Sequence, residues 1–442
     1  MAAWSNQQSR GTWMPPILLL WAALLFVGPA WGASAKTTRV TVNSNERQGN
    51  DNSFGPAAIS SNGRYIAFES FASNLVRHDT NGTGDIFVRD RVSGKTTRVS
   101  ISSAERQGKA GSFDPAISED GRFVAFASDA KNLVPGDTKD QTDVFVRDRK
   151  KGKTVRVSVA TDGTEADAQS YAPAMSADGR YIVFYSEATN LVPNDSNGSG
   201  DVFLRDRVAH TTTIMSVDSS GNYGDSGGSE PDISADGRII AFTSQSVNLV
   251  GGDGNSTADI FVHNRVSGKT SRASVDSDEN EAHGQCDRPA LSADGRFVAF
   301  ESFANDLDPS DANPVDDVFV RDRQKGTTRI ASVSSSEAAG NGLNRAADIS
   351  ANGRFVVFMS DSTTFVGADT KPGRDIYMRD RKLGKTRLLS VKTNGTKGNR
   401  ASIFPVISAD GRWVAFASLA TNLVKPDRNG DDSDIFLRGP LH

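Results

Sequence analysis

Apolar and polar residues alternate along this chain in short, strand-length runs, and the runs return on a fixed period. The marker is the dipeptide Gly-Arg, at Gly63, Gly121, Gly179, Gly237, Gly295, Gly353 and Gly411, with no drift in the spacing. Self-similarity on this scale marks one supersecondary unit copied around a ring or along a solenoid. The second copy displays the unit. Residues 113–118 (FDPAIS) form a short run, strand A, and Glu119-Asp120-Gly121 is a tight turn in which Gly suits a positive φ. Residues 122–128 (RFVAFAS), strand B, are rich in β formers. A segment over 129–142 leads to strand C at 143–148 (DVFVRD), and a turn over 149–153 leads to strand D at 154–159 (TVRVSV). Strand B is apolar on both pleat faces, through Phe123 and Ala125 on one and Val124 and Phe126 on the other. A strand covered on both faces belongs in stacked sheets. The pattern predicts an all-β chain: a seven-bladed β-propeller of four-stranded blades.

The ends predict how the ring closes. Residues 36–42 (KTTRVTV) match strand D with no A, B or C before them, and the last copy stops after strand C at 434–438 (DIFLR). The N-terminal strand is expected to complete blade seven, which removes the open edges that invite aggregation.

The units 115–128 (PAISEDGRFVAFAS) and 143–148 (DVFVRD), present in all seven copies over 36–442, resemble the WD40-like (PD40) repeat of TolB-like propellers. The resemblance implies the propeller fold, and the same blade type also occurs in prolyl oligopeptidases. TolB itself carries a further N-terminal α/β domain and a shorter repeat, so a role in the Tol–Pal system is not implied.

Connections alternate between the two faces of a propeller. The A–B and C–D turns are short, as in 176–179 (SADG) and 91–95 (RVSGK), whereas the B–C and D–A segments are long. All elaboration therefore falls on one face, and retained long loops on a rigid scaffold are where binding usually resides. The D–A loops differ most between copies and carry Tyr171, Tyr223 and His283, which are expected near the central channel. The Arg-Asp-Arg triplets at 89–91, 147–149, 205–207, 321–323 and 379–381 are expected to pair across strands, Arg64 with Asp90 and Arg122 with Asp148.

The B–C loops repeat an acidic pattern. Copies one, three and seven read Asp-x-Asn-Gly followed by a further Asp: Asp79, Asn81 and Asp85; Asp195, Asn197 and Asp201; Asp427, Asn429 and Asp434. The pattern resembles calcium loops, because calcium takes six to eight oxygens from carboxylates, amides, carbonyls and water. These nine residues are the candidate calcium ligands. The alternative is that Asp and Asn cap turns through side-chain-to-backbone hydrogen bonds. Lys139 and Lys371 stand at the Asn position in copies two and six, and an ammonium offers no lone pair to a metal.

Charge and composition narrow the partners. Residues 1–35 read as a signal peptide, with an apolar run over 17–27 that is too short to span a bilayer and an Ala33-Ser34-Ala35 cleavage pattern. The remainder, 36–442, is a single domain with 49 Lys and Arg against 54 Asp and Glu, a balance unlike that of nucleic-acid binders. No stable membrane span is expected after cleavage, and no lipid-attachment cysteine follows the apolar run. The expected product is a monomer, secreted or periplasmic. Cys286 is the sole cysteine and is expected to be buried as a small apolar residue. The string 224–228 (GDSGG) matches the trypsin nucleophile motif without the rest of that family, and the five histidines share no repeat position. No copy-unique Asp/Glu pair stands out for glycosidase chemistry. The function read from the sequence is a non-enzymatic binding or scaffold protein. Its long-loop face would engage a protein or an envelope polysaccharide, with calcium stiffening some loops. The alternative is a polysaccharide lyase or hydrolase with its site at the channel mouth.

Overall fold

The computed structural model describes residues 35–311, 313–367 and 373–442. The signal peptide expected over 1–35 lies, up to residue 34, outside the described residues, as do Asp369 and Lys371. Twenty-eight strands form seven four-stranded antiparallel sheets, and the described residues contain no helix. Blade one runs β2 (Ala58–Ile59), β3 (Tyr65–Ser70), β4 (Asp85–Asp90) and β5 (Lys95–Arg98) in spatial order. Blades two to six repeat it. Blade seven orders β1 (Lys36–Arg39), β28 (Asp434–Gly439), β27 (Val414–Ser418) and β26 (Ser402–Ile407). The N-terminal strand pairs with the last, Thr37 opposite Arg438 and Arg39 opposite Phe436. The seven-bladed ring closed by the N-terminal strand is thus as the sequence predicts. The D strands are shorter than predicted: the second copy's covers Lys153–Arg156 and then turns away.

Each blade buries one aromatic pair from strands B and C. Phe68 and Phe87, Phe126 and Phe145, Phe184 and Phe203, Phe242 and Phe261, Phe300 and Phe319 stack with centroids 5.9–6.0 Å apart. All are fully buried. Packing of this kind, beyond area burial, contributes on the order of 1 kcal/mol per pair.

The invariant Gly of Gly-Arg has two causes. Its φ is positive, +66° to +72° in the seven copies. The preceding blade also leaves no room for a side chain: a Cβ on Gly121 would lie 2.1 Å from the Tyr65 ring, and one on Gly353 2.1 Å from Phe297. The neighbouring Arg pairs with Asp as expected, Arg64 Nε to Asp90 Oδ1 at 3.0 Å and Arg122 Nε to Asp148 Oδ1 at 3.0 Å. The third residue of the Arg-Asp-Arg triplet reaches the preceding blade. Arg149 lies 4.8 Å from the centroid of Tyr65, which Arg64 flanks at the same distance. In copy four, His263 replaces the first Arg and keeps its threonine contact through Nδ1 and Thr270 Oγ1 at 2.9 Å.

The repeat is longer than a minimal blade because both long connections bind blades together. The first part of each D–A segment folds back on itself through an isolated bridge, Val42 to Gln48 and its equivalents. The next blade clamps it: Thr96 Oγ1 donates to Val42 O and Thr154 Oγ1 to Ile101 O, each at 2.5 Å. Thr37 makes the same bond to Val391 O across the seam. The B–C segments insert buried Ala and Leu, such as Ala72 with Leu75 and Ala130 with Leu133, between blades.

On the short-turn face the A–B turns form a closed hydrogen-bonded ring. Ser61 N donates to Glu119 O, Glu119 N to Ala177 O, and the chain of bonds continues through Ala235, Ala293, Ala351 and Ala409. It ends where Asp410 N donates to Ser61 O, all at 2.9–3.2 Å.

Candidate functional site

Strand A is the innermost of every blade, and near its start the copies break register with strand B. The shift falls between Phe113 and Ala116 in blade two and between Asp287 and Ala290 in blade five, with equivalents in blades three, four, six and seven. The bulged residue is left-handed every time: Asp114, Ala172, Glu230, Arg288, Ala346 and Phe404 have φ between 49° and 53°, and Gly55 has 83°. Bulges re-aim side chains and recur beside functional sites. A left-handed non-Gly residue costs on the order of 1 kcal/mol or more, so six in register are a strain the fold imposes at one place. That place is the channel mouth on the long-loop face.

The residues the bulges present differ from blade to blade. In blades four, five and six they bring charged side chains together. A cavity of about 320 Å3 is lined by Glu230, Asp287, Glu301, Asp316, Arg288 and Arg345, with Gln285, Ser302 and Phe303 beside them. Three inner strands supply four of the charges: Ser229–Ile233, Cys286–Leu291 and Asn344–Ile349. Glu301 is the penultimate residue of strand B of blade five and Asp316 immediately precedes its strand C.

The charges hold one another across blades. Arg288 N donates to Glu230 Oε2 at 2.9 Å and its Nη1 lies 3.6 Å from Glu301 Oε1. Ala346 N donates to Glu301 Oε1 at 2.5 Å, and Arg345 Nε donates to Asp316 Oδ2. Gln285 Nε2 donates to Asp287 Oδ2 at 2.7 Å. Burial pushes the Glu301 carboxyl up to about 7 despite Arg288. Burial also raises Asp316 and Asp287, the latter further through Glu230 and Asp316. Four carboxylates thus share two guanidinium groups.

Aromatic side chains mark the same rim. Phe303 is 51% exposed and lies under the Arg345 guanidinium, 5.7 Å from ring to cation. Phe54 stacks on Phe71 at 5.5 Å in blade one, and Tyr171 meets Tyr185 at 4.8 Å in blade three. Blade one repeats the Glu-Ser-Phe run of blade five, and burial raises Glu69 to about 7 as it does Glu301. Deeper in the ring, Asp232 and Asp348 accept from Leu291 N and Ile407 N at 2.7 Å, and burial raises them to about 6 and about 7.

The sequence-predicted ligands lie elsewhere, on the outer part of the long-loop face. The structure brings each trio together, but in copies one and seven an internal cation is already there. Arg98 Nη1 lies 3.2 Å from Asp79 and 3.1 Å from Asp85, and Gln107 Nε2 donates to both carboxylates. Arg39 sits 3.0 Å from Asp434 and 3.7 Å from Asp427, and Gln48 reaches Asp427, Asn429 and Asp434. Two further trios gather carboxylates within 4.8 Å, Asp137, Asp143 and Glu165, and Asp253, Asp259 and Glu281. They enclose Arg156 and Arg272 in the same way. Lys397 meets Asp375 at 2.7 Å in copy six. In copy three, Ile214 stands in the arginine's register opposite Phe203. There Asn197 Nδ2 donates to Asp201 at 2.8 Å, and burial with the neighbouring Asp201 raises Asp195 to about 6.

Other sequence candidates fall away from the cavity. His283 is 83% exposed and pairs with Asp306 at 2.7 Å. Tyr223 donates to Pro193 O, and Ser226 N donates to Ser246 Oγ in a glycine-rich loop. Cys286 is fully buried beside Ser302 Oγ, as expected, and burial raises its thiol far above the usual range. The sequence pattern offers no copy-unique Asp/Glu pair, whereas the structure gathers Glu230, Asp287, Glu301 and Asp316 at one cavity, with Glu301 matched by a Glu in another copy's place, Glu69. The signal lay in two repeat columns, Phe113, Tyr171, Ser229, Asp287, Arg345, Ile403 and Asp114, Ala172, Glu230, Arg288, Ala346, Phe404, which are nearly patternless within an otherwise regular unit.

No family model and no curated protein matches the chain. Solved structures do. An oligogalacturonate lyase in complex with manganese is similar at TM-score 0.56 and 13% identity, covering 93% of this chain and 94% of its own. The β-propeller domain of the trilobed protease from Pyrococcus furiosus, described as having an open velcro topology, matches at TM-score 0.53 and 11% identity over 88% and 96% of the two chains. TolB from Acinetobacter baumannii matches at TM-score 0.40 and 17% identity over 69% of this chain and 58% of its own. The first two likenesses establish the propeller fold. Among the described residues no helix is long and apolar enough to cross a membrane.

Proposed function

We propose that this is an exported binding protein that holds a hydroxyl-rich ligand, an envelope polysaccharide, at the channel mouth of its long-loop face. The observation that carries the reading is the convergence on one cavity of charged residues from three blades, at positions that vary between copies. Ligand sites are concavities with a few convergent polar groups on a rigid frame. Carboxylates and guanidinium groups together accept from and donate to sugar hydroxyls, and the exposed Phe303 ring offers a flat apolar surface to a sugar face. The side chains are held by one another across blades, so the site is preorganised and little ordering cost is left to binding. Screening neutral, acidic and amino glycans by titration against the full chain tests the reading. Binding that Glu230→Gln with Arg288→Ala abolishes supports it; a panel with no binder, or binding indifferent to these substitutions, refutes it.

A second reading has one specific observation in its favour. Glu301, raised to about 7 by burial, is poised to exchange a proton near neutral pH. A lyase or hydrolase would use it as the proton carrier, and polysaccharide turnover lost in Glu301→Gln would select that reading.

Calcium belongs to the proposal only in part. The arginine-filled loops of copies one and seven do not fit it, because the guanidinium already neutralises the carboxylates. Copy three offers oxygens from Asp195, Asn197 and Asp201 without a competing cation among the described residues, a donor set suited to a hard cation.

A further inference from the structure

The unbalanced charge at the channel mouth identifies what kind of sugar the cavity is built for. Asp316 carries the argument. Its side chain is only 4% exposed, and it lines the cavity. One carboxylate oxygen, Oδ2, accepts from Arg345 Nε, whereas Oδ1 meets no hydrogen-bond partner among the described residues. A buried acceptor left unpaired carries the full desolvation penalty of its group. Buried acceptors in native structures are nearly always satisfied, so one left open beside a cavity points to a donor that arrives from outside.

The surroundings say what charge that donor has. Arg288 is engaged by Glu230 and Glu301, and Arg345 by Asp316, so both guanidinium groups are committed to carboxylates. Asp287 has an amide partner, Gln285, and no guanidinium within ion-pairing distance among the described residues. Burial raises its affinity for a proton, and the charges of Glu230 and Asp316 add to this against the opposing pull of Gln285 and Arg288. The cavity therefore holds four carboxylates against two guanidinium groups, and the excess negative charge centres on Asp287 and Asp316. Phe303 adds an aromatic face beside the same point, where a cation gains from the ring's quadrupole.

We infer that the cavity receives a protonated primary amine of an amino sugar, with Asp316 Oδ1 and Asp287 as its acceptors. This rests on the polysaccharide reading above and narrows it to glycans with unacetylated amino groups. Arg345 is half-exposed and roofs Asp316. Arg345 keeps Asp316 Oδ2, and the ligand ammonium takes Oδ1 beside it and adds the positive charge that the four carboxylates lack.

The test uses two ligands that share a backbone and differ in charge: a tetramer of glucosamine and its fully N-acetylated counterpart. Both are titrated calorimetrically into the full chain at about pH 6, below the α-amino range, where an amine flanked by electron-withdrawing hydroxyls is largely protonated. The glucosamine tetramer is expected to bind and the acetylated tetramer to bind at least on the order of tenfold more weakly. Asp316→Asn keeps the shape and removes the charge; with an unchanged melting temperature it is expected to weaken the glucosamine tetramer by on the order of ten- to a hundredfold. Arg345→Met removes the competing internal cation and is expected to tighten it. Equal binding of both tetramers overturns the inference while leaving the polysaccharide reading intact. Failure of the glucosamine tetramer while a neutral or acidic glycan binds the same residues does so too. Loss of binding in Arg345→Met equal to that in Asp316→Asn also overturns it, because the arginine would then be the group that holds the ligand. Failure of every glycan tested removes both readings together.

Discussion

The two rims of the channel are built from the same strands and obey opposite rules. On the short-turn rim all seven copies do the same thing. Each A–B turn donates a backbone hydrogen bond to the next, and each Gly accepts the ring or aliphatic side chain of its neighbour. On the long-loop rim the backbone repeats, with the same left-handed bulge in six blades and a left-handed Gly55 in the seventh, but the side chains on that backbone do not. One rim must be identical in all copies because it closes the circle, and an error of one blade would propagate to the seam. The other is free to vary because closure does not depend on it. The contrast separates scaffold from site without reference to any relative. It also classifies two other large cavities, of about 290 and 280 Å3. They occupy equivalent junctions in successive blades, one lined by Asp148, Lys153 and Arg205, the other by Asp90, Lys95 and Arg147. They belong to the repeat.

The comparison can be broken most sharply at the large buried groups of the scaffold. In the blade core, Phe126→Ala is expected to cost about 3–5 kcal/mol, read by denaturant unfolding, because its fully buried ring stacks on Phe145. Gly353→Ala must displace the Phe297 ring, 2.1 Å from the new Cβ, besides accepting a positive φ. It is expected to cost about 3 kcal/mol or more. Gly430→Ala has a similar φ of +70° but no atom within 4 Å, and is expected to cost about 1 kcal/mol. Equal losses at the two glycines would mean that the backbone angle alone accounts for the invariance.

The inner wall of the channel is expected to respond to pH rather than to packing. Asp348 is raised to about 7 and Asp232 to about 6, both by burial. A carboxyl whose folded value lies above its unfolded value of about 4 stabilises the fold fully only below that unfolded value, and this contribution is lost as pH rises through the folded one. The melting temperature should therefore fall between about pH 4 and about pH 7 on account of these groups. Asp348→Asn should remove part of that slope, matching the parent near the acid end and exceeding it near neutrality. A parallel profile in the variant would refute the assignment.

Smaller effects sharpen the outer loops. Excess calcium is expected to raise the melting temperature modestly, by mass action on the folded state. Asp195→Ala should abolish the shift and Asp79→Ala should leave it, because Arg98 already serves the latter loop. A shift equally sensitive to both would return calcium to the arginine-filled copies. The smallest change is expected at the exposed His283 and Asp306 pair, where His283→Ala should alter stability by less than about 0.5 kcal/mol.

Periodicity alone yielded the blade count, the strand order, the closing strand and the Arg64–Asp90 type of pair. These features repeat, and repetition is visible in one dimension. The Asp-x-Asn-Gly loops were visible for the same reason, yet their partners were not. Arg98 and Gln107 both follow Asp85 in the chain, but one lies on the next strand and the other in the next D–A segment. The triplet's third arginine was likewise legible as a motif but not as a clamp on the preceding blade's ring.

The sequence by itself determined the scaffold, because strand alternation, turn glycines and a fixed period are local properties that add up to one closed ring. Only the tertiary structure decided the site. Glu230, Arg288 and Arg345 stand about one repeat apart, in positions that look like random variation, and three blades must close side by side before their charges share one cavity. The physical reason is that a charge acquires meaning from its neighbours in space. In a ring those neighbours are set by closure, which no single repeat contains.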